Sequence, residues 1–314
     1  MERQEGKHMP SLVTHHHFAV LVQQSAEPDL RNACDVSPSA YRWGAQGPDI
    51  LFFHNAPFGS RTSLLGHRMH AGRIAEAFNA LVHSAVRQHD PAALSYLLGF
   101  CTHYVLDRRT HPYIQDTIET QLMPHYPDYD EDACHRLCEA DLDAQIITNY
   151  ISGEQENFEA FRLLDAPSAQ VGRLIGRMLT DVGEPVYHVD TAPPRVEGAM
   201  RTMRLVYNIL HGGSRDGARA QIELFERMLG QPGLLSTMLR PTTPLPADCA
   251  NLAHRVWHKP DVPEIDRTDS FFELFESSVQ PALSLWRAIS NCYHRGTPLN
   301  PLFFPANYNG MPEL

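Results

Sequence analysis

The sequence lacks the features that mark disulfide-rich, membrane-spanning or exported proteins. Its six cysteines form no CxxC pair, and in a chain of 314 residues we expect them to be free thiols. No apolar run approaches the roughly 20 residues that span a bilayer. The stretch MERQEGKHMPSLV does not contain the apolar core of a signal peptide. Together these absences predict a reducing compartment, and we expect the cytoplasm.

The chain is also short of positive charge. It has 26 Lys and Arg against 37 Asp and Glu, which gives a formal net charge of -11. This balance argues against tight binding of nucleic acid through a basic face and against electrostatic docking on anionic lipid. Hydrophobic residues make up 43% of the chain and charged residues 20%, which is typical of a soluble globular protein.

Strand alternation, internal repeats and low-complexity tracts are absent as well. Apolar residues instead recur at helical spacing, which predicts an all-α protein. The expected helices cover about residues 15–24, 29–35, 63–86, 91–107, 130–150, 166–182, 195–210, 215–229 and 270–293. Pro112 is expected to end the fourth of these helices. We predict a flexible segment over residues 1–10, followed by a single multi-helix domain over residues 11–314.

Histidine is the residue in excess. The chain has 18 histidines against 14 phenylalanines, and histidine is the commonest metal ligand and the usual acid or base near neutral pH. The stretch YLLGFCTHYVLDRRTHPY places His103, Asp107 and His111 four residues apart. Residues at this spacing lie on one helix face, about one turn apart. The helix therefore fixes a chelating geometry, although one such pair alone is more often a capped or salt-bridged surface feature.

Further histidines and carboxylates at similar spacing occur along the chain. The segment DACHRLCEADLD places His135, Glu139 and Asp143 four residues apart, GHRMH ends in His70, and GPD offers Asp49 from a loop. The segment THHHF adds three histidines at the first helix. Helices with inward-facing histidines and carboxylates are how bundles build polynuclear metal sites. Nitrogen and oxygen ligands suit zinc, with iron and manganese as alternatives.

Three polar residues beside these ligand candidates have both a functional and a structural interpretation. Arg108 and Arg109 could clamp a phosphate through paired hydrogen bonds, and we predict that they bind substrate. Two arginines at a helix end also favour the helix dipole and need do no more. Asp143 is close enough in sequence to ligate metal, but such a residue more often orients an imidazole N–H, which is the role we predict.

These motifs together resemble a known family. THHHF, WGAQGPDILFF, GHRMH, LLGFCTHYVLDRRTHPY and HRLCEADLD occur in the order and approximate spacing of the zinc-dependent phospholipase C family. That family shares its all-helical fold with the S1/P1 nucleases. The resemblance covers roughly Pro10 to Ile289, and it implies the phospholipase C/P1 nuclease fold for this chain.

The resemblance also implies a set of ligands for two to three zinc ions. One ion and the bridge to its neighbours would be served by Asp49, His70, His103 and Asp107. A second ion would be held by His111, His135 and Glu139. A third would be held by Asp107 with a histidine of the first helix, for which His15 is the choice over His16 and His17. In secreted members the processed N-terminal residue binds this third zinc, whereas here residues 1–10 precede the matching point.

The function implied is hydrolysis of a phosphodiester by metal-activated water, with Asp49 also accepting the proton of that water. The expected substrate is a phospholipid headgroup or a related small phosphodiester; no oligomeric state is predicted. One alternative is an S1/P1-like nuclease or nucleotide phosphodiesterase. It needs an aromatic stacking platform and a basic groove, and the net charge counts against it. The other alternative is a metal-binding structural or sensor protein without turnover.

Overall fold

The computed structural model describes residues 11–56, 58–151, 158–211, 215–241 and 243–313, and these fold as an all-α protein, as predicted. The predicted flexible segment 1–10 lies outside the described residues, so the division at residue 10 stays a prediction. Within the described ranges, no helix is both long enough and apolar enough to cross a membrane. In chain order the helices are α1 (Leu12–Ser25), α2 (Pro28–Asp35), α3 (Pro38–Gly44), α4 (Arg61–Ala71), α5 (Ile74–Gln88), α6 (Ala92–Thr117), α7 (Met123–His125), α8 (Glu131–Ile146), α9 (Ala169–Tyr187), α10 (Pro193–His211), α11 (Arg215–Met228), α12 (Phe271–Ser277) and α13 (Val279–Arg295).

Helix α6 is the centre of the fold, and it packs against α1, α2, α3, α5, α12 and α13. It was expected to end near Pro112, but it runs to Thr117 and continues through a π-helical turn, Ile118–Leu122. A proline inside a helix costs about 3 kcal/mol. Burying one large apolar side chain stabilises by roughly 1.5–3 kcal/mol, and Tyr113 and Ile114 are both buried just beyond the proline. The prediction was wrong because tertiary packing outweighs the local cost of proline.

Two of the expected helices are each interrupted once. The helix expected over 63–86 is α4 followed by α5, and Arg73 between them has a left-handed φ of 58°. The helix expected over 270–293 is α12 followed by α13, with Ser278 between them. The first break places His70, one of the predicted metal ligands, in the last turn of α4.

A short antiparallel hairpin departs from the expected absence of strands. Strand β1 (Trp257–Lys259) pairs with β2 (Val262–Arg267). The ring of Trp257 is buried and packs edge-on against Tyr113 of α6, with ring centroids 5.4 Å apart. The prediction of no strands was wrong here, because strands this short carry too few residues for alternation to be visible in the sequence.

Two glycines bring α3 and α6 into backbone contact. A Cβ added at Gly44 would lie 2.3 Å from a backbone oxygen of α6, and one added at Gly99 would lie 2.2 Å from a backbone oxygen of α3. Only a hydrogen atom fits at either position. The 3-10 turn Gly47–Phe53 closely follows α3 and carries Asp49. The close crossing of α3 and α6 therefore sets how near Asp49 comes to the side chains of α6.

Replacing Gly99 with alanine is expected to lower the free energy of unfolding by about 1–3 kcal/mol, because an overpacked contact forces the two helices apart. Urea unfolding followed by circular dichroism measures the change. The matched control is Gly198→Ala in α10, where the nearest atom to an added Cβ is 4.0 Å away. The control should be stabilised by about 0.5–1 kcal/mol, since alanine favours a helix more than glycine does. Equal stability of the two variants would contradict the assigned role of Gly99.

Candidate metal centre

Five elements of the fold bring together the eight residues expected to bind metal. Helices α1 and α4 and the 3-10 turn Gly47–Phe53 supply one residue each, α6 supplies three at successive turns, and α8 supplies two. None of the eight is more than 9% exposed to solvent. They are His15, Asp49, His70, His103, Asp107, His111, His135 and Glu139.

The first group of ligand atoms surrounds the carboxylates of Asp49 and Asp107. Asp49 Oδ1 lies 3.0 Å from His70 Nε2, and Asp49 Oδ2 lies 3.6 Å from His103 Nε2. His103 Nε2 also lies 3.1 Å from Asp107 Oδ2. Donor atoms about 2 Å from one tetrahedral zinc lie roughly 3.3 Å from each other. The spacing in this group is therefore in the range that a shared zinc ion requires.

The second group consists of His111, His135 and Glu139. Glu139 Oε1 lies 3.2 Å from His135 Nε2 and 3.8 Å from His111 Nε2. The rings of the two histidines are nearly perpendicular, with an interplanar angle of 85°. Asp107 Oδ1 lies 3.7 Å from His111 Nε2. Asp107 thus lies between the two groups and connects them.

His15 reaches the same cluster from α1. Its Nε2 atom lies 3.2 Å from Asp107 Oδ1, and its ring stacks on that of His103 with centroids 4.1 Å apart. His17, two residues further along, packs against Tyr150 instead. Of the three consecutive histidines, His15 is the member that falls in a group of possible ligands among the described residues.

Several nitrogen and oxygen atoms of the candidate ligands have no hydrogen-bond partner within the described part of the chain. These atoms are Nδ1 of His15, both ring nitrogens of His103 and Oε2 of Glu139. The Nε2 atom of His103 is 3.1 Å from a carboxylate oxygen, yet the two do not have hydrogen-bond geometry. Buried polar atoms without partners are rare in folded proteins. His103 Nε2 lies beside oxygens of Asp49 and Asp107 without a hydrogen bond to either, which fits a shared cation. A set of imidazole and carboxylate ligands suits zinc.

The carboxylates also give the centre a negative potential. Burial lowers the pKa of His111, but Asp107 and Glu139 raise it more, so that the pKa lies at about 9. Burial raises the pKa of Glu139, but His135 and His111 lower it more, and the result is about 2. Without metal, Glu139 is therefore ionised at neutral pH and His111 carries an extra proton. The carboxylates thus favour positive charge here, and a metal ion bound at His111 would take the place of that proton.

A comparison with protein families agrees with this geometry. The family model for zinc-dependent phospholipase C matches residues 14–174, which is just over half of the chain and includes all eight ligand candidates. The chain belongs to the zinc-dependent phospholipase C family. No curated protein and no solved structure matches the chain. The expected resemblance extended to Ile289, and beyond residue 174 it stays a prediction.

In this member of the zinc-dependent phospholipase C family, two glycines help to orient the ligand candidates. His70 Nδ1 lies 2.8 Å from Gly66 O, so Nδ1 donates to that carbonyl and Nε2 faces Asp49. Gly47 has a φ of +52°, and a Cβ added there would lie 2.2 Å from the His103 ring. A side chain at Gly47 would therefore displace the ring of a ligand candidate.

Asp143 was predicted to orient an imidazole N–H, but its carboxylate bonds instead to the start of α1. Its carboxylate accepts the backbone N–H groups of Val13 and Thr14 at 3.1 and 2.8 Å. It also accepts the hydroxyl of Thr14 at 2.7 Å and the hydroxyl of Ser11. The first N–H groups of a helix have no partner within the helix, so an acceptor from α8 can satisfy them. Asp143 thereby ties α8 to α1 and fixes the position of His15.

Arg108 and Arg109 hold other segments to α6. Arg108 Nη1 donates to Phe303 O at 3.0 Å. Arg109 donates to the hydroxyls of Ser277 and Ser278 at 2.9 and 2.8 Å. Positions one and two residues after Asp107 are turned by about 100° and 200° from the ligand face of the helix. The structure gives both guanidinium groups a structural role, and their binding of substrate stays a prediction.

Tyr308 forms one side of the centre, although no local motif predicts it. Its ring centroid lies 4.7 Å from that of His70 and 5.7 Å from that of His103, and the residue is almost fully buried. It lies far along the chain from the ligand candidates, so helical spacing gives no signal. The surrounding NYNG predicts a turn and nothing more.

Replacing His135 with alanine is expected to remove about one zinc ion per chain, because its group would keep only two of its three ligands. Elemental analysis of protein purified without a metal-affinity tag measures the zinc content. The matched control is His125→Ala, since His125 is exposed and its Nδ1 bonds to Gln121 O. The control should keep the zinc content of the wild type. Unchanged zinc in His135→Ala would count against the second ligand group.

Proposed function

We propose that the chain is a zinc-dependent hydrolase that cleaves phosphodiesters in the manner of a phospholipase C. The observation that carries this proposal is the convergence of five imidazoles and three carboxylates on one buried space, in a chain of this family. Family membership favours the headgroup phosphodiester of a phospholipid as substrate. A related small phosphodiester is the broader class.

The ligand candidates would hold two to three zinc ions. Three groups have their ligand atoms within 4.8 Å of one another: His70, His103 and Asp107; His111, His135 and Glu139; and His15, Asp49 and His103. The Nε2 atom of His103 has one lone pair and can serve only one ion. A third ion would therefore depend on His15, Asp49 and Asp107, and for this reason we expect it to be the weakest.

Asp107 and Asp49 have different roles in this proposal. The two oxygens of Asp107 face different histidines, with Oδ2 near His103 and Oδ1 near His15 and His111, as expected of a bridging carboxylate. Asp49 Oδ1 lies 3.0 Å from His70 Nε2, whereas Asp49 Oδ2 lies 3.6 Å from His103 Nε2. The looser contact favours Oδ2 as the atom that accepts a proton.

The reaction proposed is an in-line displacement at phosphorus. Zinc held at these residues supplies a Lewis acid that activates water at neutral pH and offsets negative charge on the phosphate oxygens. Asp49 accepts the proton of the attacking water while the new oxygen–phosphorus bond forms. The bond from phosphorus to the alcohol oxygen breaks, and that oxygen takes up a proton from solvent water, to which Asp49 later returns the proton it accepted. A small cavity of about 10 Å³ borders His15, Asp107, His111 and Glu139, which lie in both ligand groups.

Removal of metal is expected to abolish hydrolysis of a chromogenic phosphodiester, and addition of zinc is expected to restore it. Parallel assays would use phosphatidylcholine vesicles and a short single-stranded oligonucleotide. Turnover of lipid but not of the oligonucleotide supports the phospholipase assignment, and the opposite result would support a nuclease. Bound zinc without turnover of any substrate would favour a metal-binding protein and would contradict the proposed hydrolysis.

Replacing Asp49 with asparagine is expected to lower kcat by about 10²–10⁴, since the general base is removed while the shape of the side chain is kept. Zinc content is measured alongside the rate, so that loss of metal is separated from loss of proton transfer. The matched control is Asp128→Asn, a surface carboxylate that lies 3.7 Å from Arg227. Wild-type turnover by a fully zinc-loaded Asp49→Asn would disprove the role of Asp49 as base.

A further inference from the structure

The segment 303–313, called here the C-terminal strap, lies against the metal centre. It is outside the part of the chain that the family model matches. Tyr104 of α6 donates its hydroxyl to Ala306 O at 2.7 Å. At the other end of the strap, the carboxylate of Glu313 accepts the N–H of Ile74 at the start of α5, at 3.0 Å. The strap is therefore anchored to the body of the protein on both sides of the residues that face the ligand candidates.

A tight turn in the middle of the strap is built around Asn307. The Oδ1 atom of Asn307 accepts N–H groups from two later residues of the turn, at 2.9 and 3.1 Å. Its Nδ2 atom donates to Ala71 O, at the end of α4, at 3.0 Å. Gly310 has a φ of +72°, and a Cβ added there would lie 2.4 Å from the ring of Pro112. The turn is thus held between α4 and α6, the helices that carry His70 and His111.

Two residues of this turn contact ligand candidates directly. The backbone N–H of Tyr308 donates to His70 O at 3.3 Å, and the Tyr308 ring packs on that of His70. The side-chain oxygen of Asn309 lies 3.4 Å from His111 Nδ1. Asn309 itself is exposed, and His111 is the most exposed of the eight candidates at 9%. The ring of His111 packs edge-on against that of His135, and Asn309 is the polar partner of its second ring nitrogen.

We propose that the C-terminal strap is part of the metal centre and that Asn309 is the positioning residue for His111. Its amide oxygen accepts the Nδ1 proton of His111, which leaves the Nε2 lone pair on the side of Glu139. Ligating histidines are commonly fixed in this way by an acceptor on the second ring nitrogen. The proposal rests on the proposed metal centre, and it extends that centre to a segment beyond the family match.

The test compares Asn309→Ala, which removes the acceptor, with Asn309→Asp, which keeps an oxygen at the same position. Competition with a chromogenic chelator measures the affinity of the full-length protein for zinc. Asn309→Ala is expected to bind one zinc ion about tenfold more weakly, whereas Asn309→Asp should bind as tightly as the wild type or more tightly. The visible spectrum of cobalt bound in place of zinc should change in Asn309→Ala and be restored in Asn309→Asp.

The control is Asn300→Ala, an exposed asparagine whose side chain caps the turn Pro301–Phe303 and contacts no ligand candidate. It should leave zinc affinity and the cobalt spectrum unchanged. Wild-type affinity in Asn309→Ala would overturn the positioning role and leave the proposed hydrolysis untouched. If the wild type binds zinc without turnover, the proposed hydrolysis fails and the affinities still decide the role of Asn309. A wild-type chain that binds no zinc would overturn both.

Discussion

Burial of charge is the constraint on which this structure depends. Moving an ionised group from water into a protein interior costs several kcal/mol unless other groups compensate it. Burial raises the pKa of Asp107, yet His103, His111 and His15 together hold it well below its usual range. Pairing of carboxylates with imidazoles thus supplies part of the compensation. His103 Nε2 and Glu139 Oε2 lack hydrogen-bond partners, so the compensation is incomplete at these atoms. A divalent cation bound there would complete it.

The rest of the fold holds this charged cluster in place from several directions. Gly44 and Gly99 set the distance between α3 and α6, and with it the reach of Asp49. Asp143 connects α8 to the first turn of α1, so that His15 is fixed by a residue four positions beyond Glu139. Each of these contacts positions a ligand candidate without supplying a ligand atom itself. The contacts that pack these helices together therefore also position the residues expected to bind metal.

Helical spacing marked the candidates of α6 and α8, because a His and a carboxylate four residues apart share one helix face whatever the rest of the chain does. His15, Asp49 and His70 were placed in the ligand set by the family resemblance, and the all-α class followed from the spacing of apolar residues. Interruption of the 63–86 helix at Arg73 and continuation of α6 past Pro112 could not be predicted this way, since both depend on packing between distant segments. Tyr308 was missed for the same reason.

Three of the eight ligand candidates lie on α6, and this placement affects how the centre could change during evolution. Asp107 is one turn from His103 and one turn from His111, a rise of about 6 Å on each side. The separation of the two ligand groups is therefore built into one rigid, buried helix and not into the loops around it. Loops that neither carry nor contact a ligand candidate can diverge in length and sequence without moving the two groups. A scaffold of this kind can acquire new substrates while it keeps the same hydrolytic chemistry.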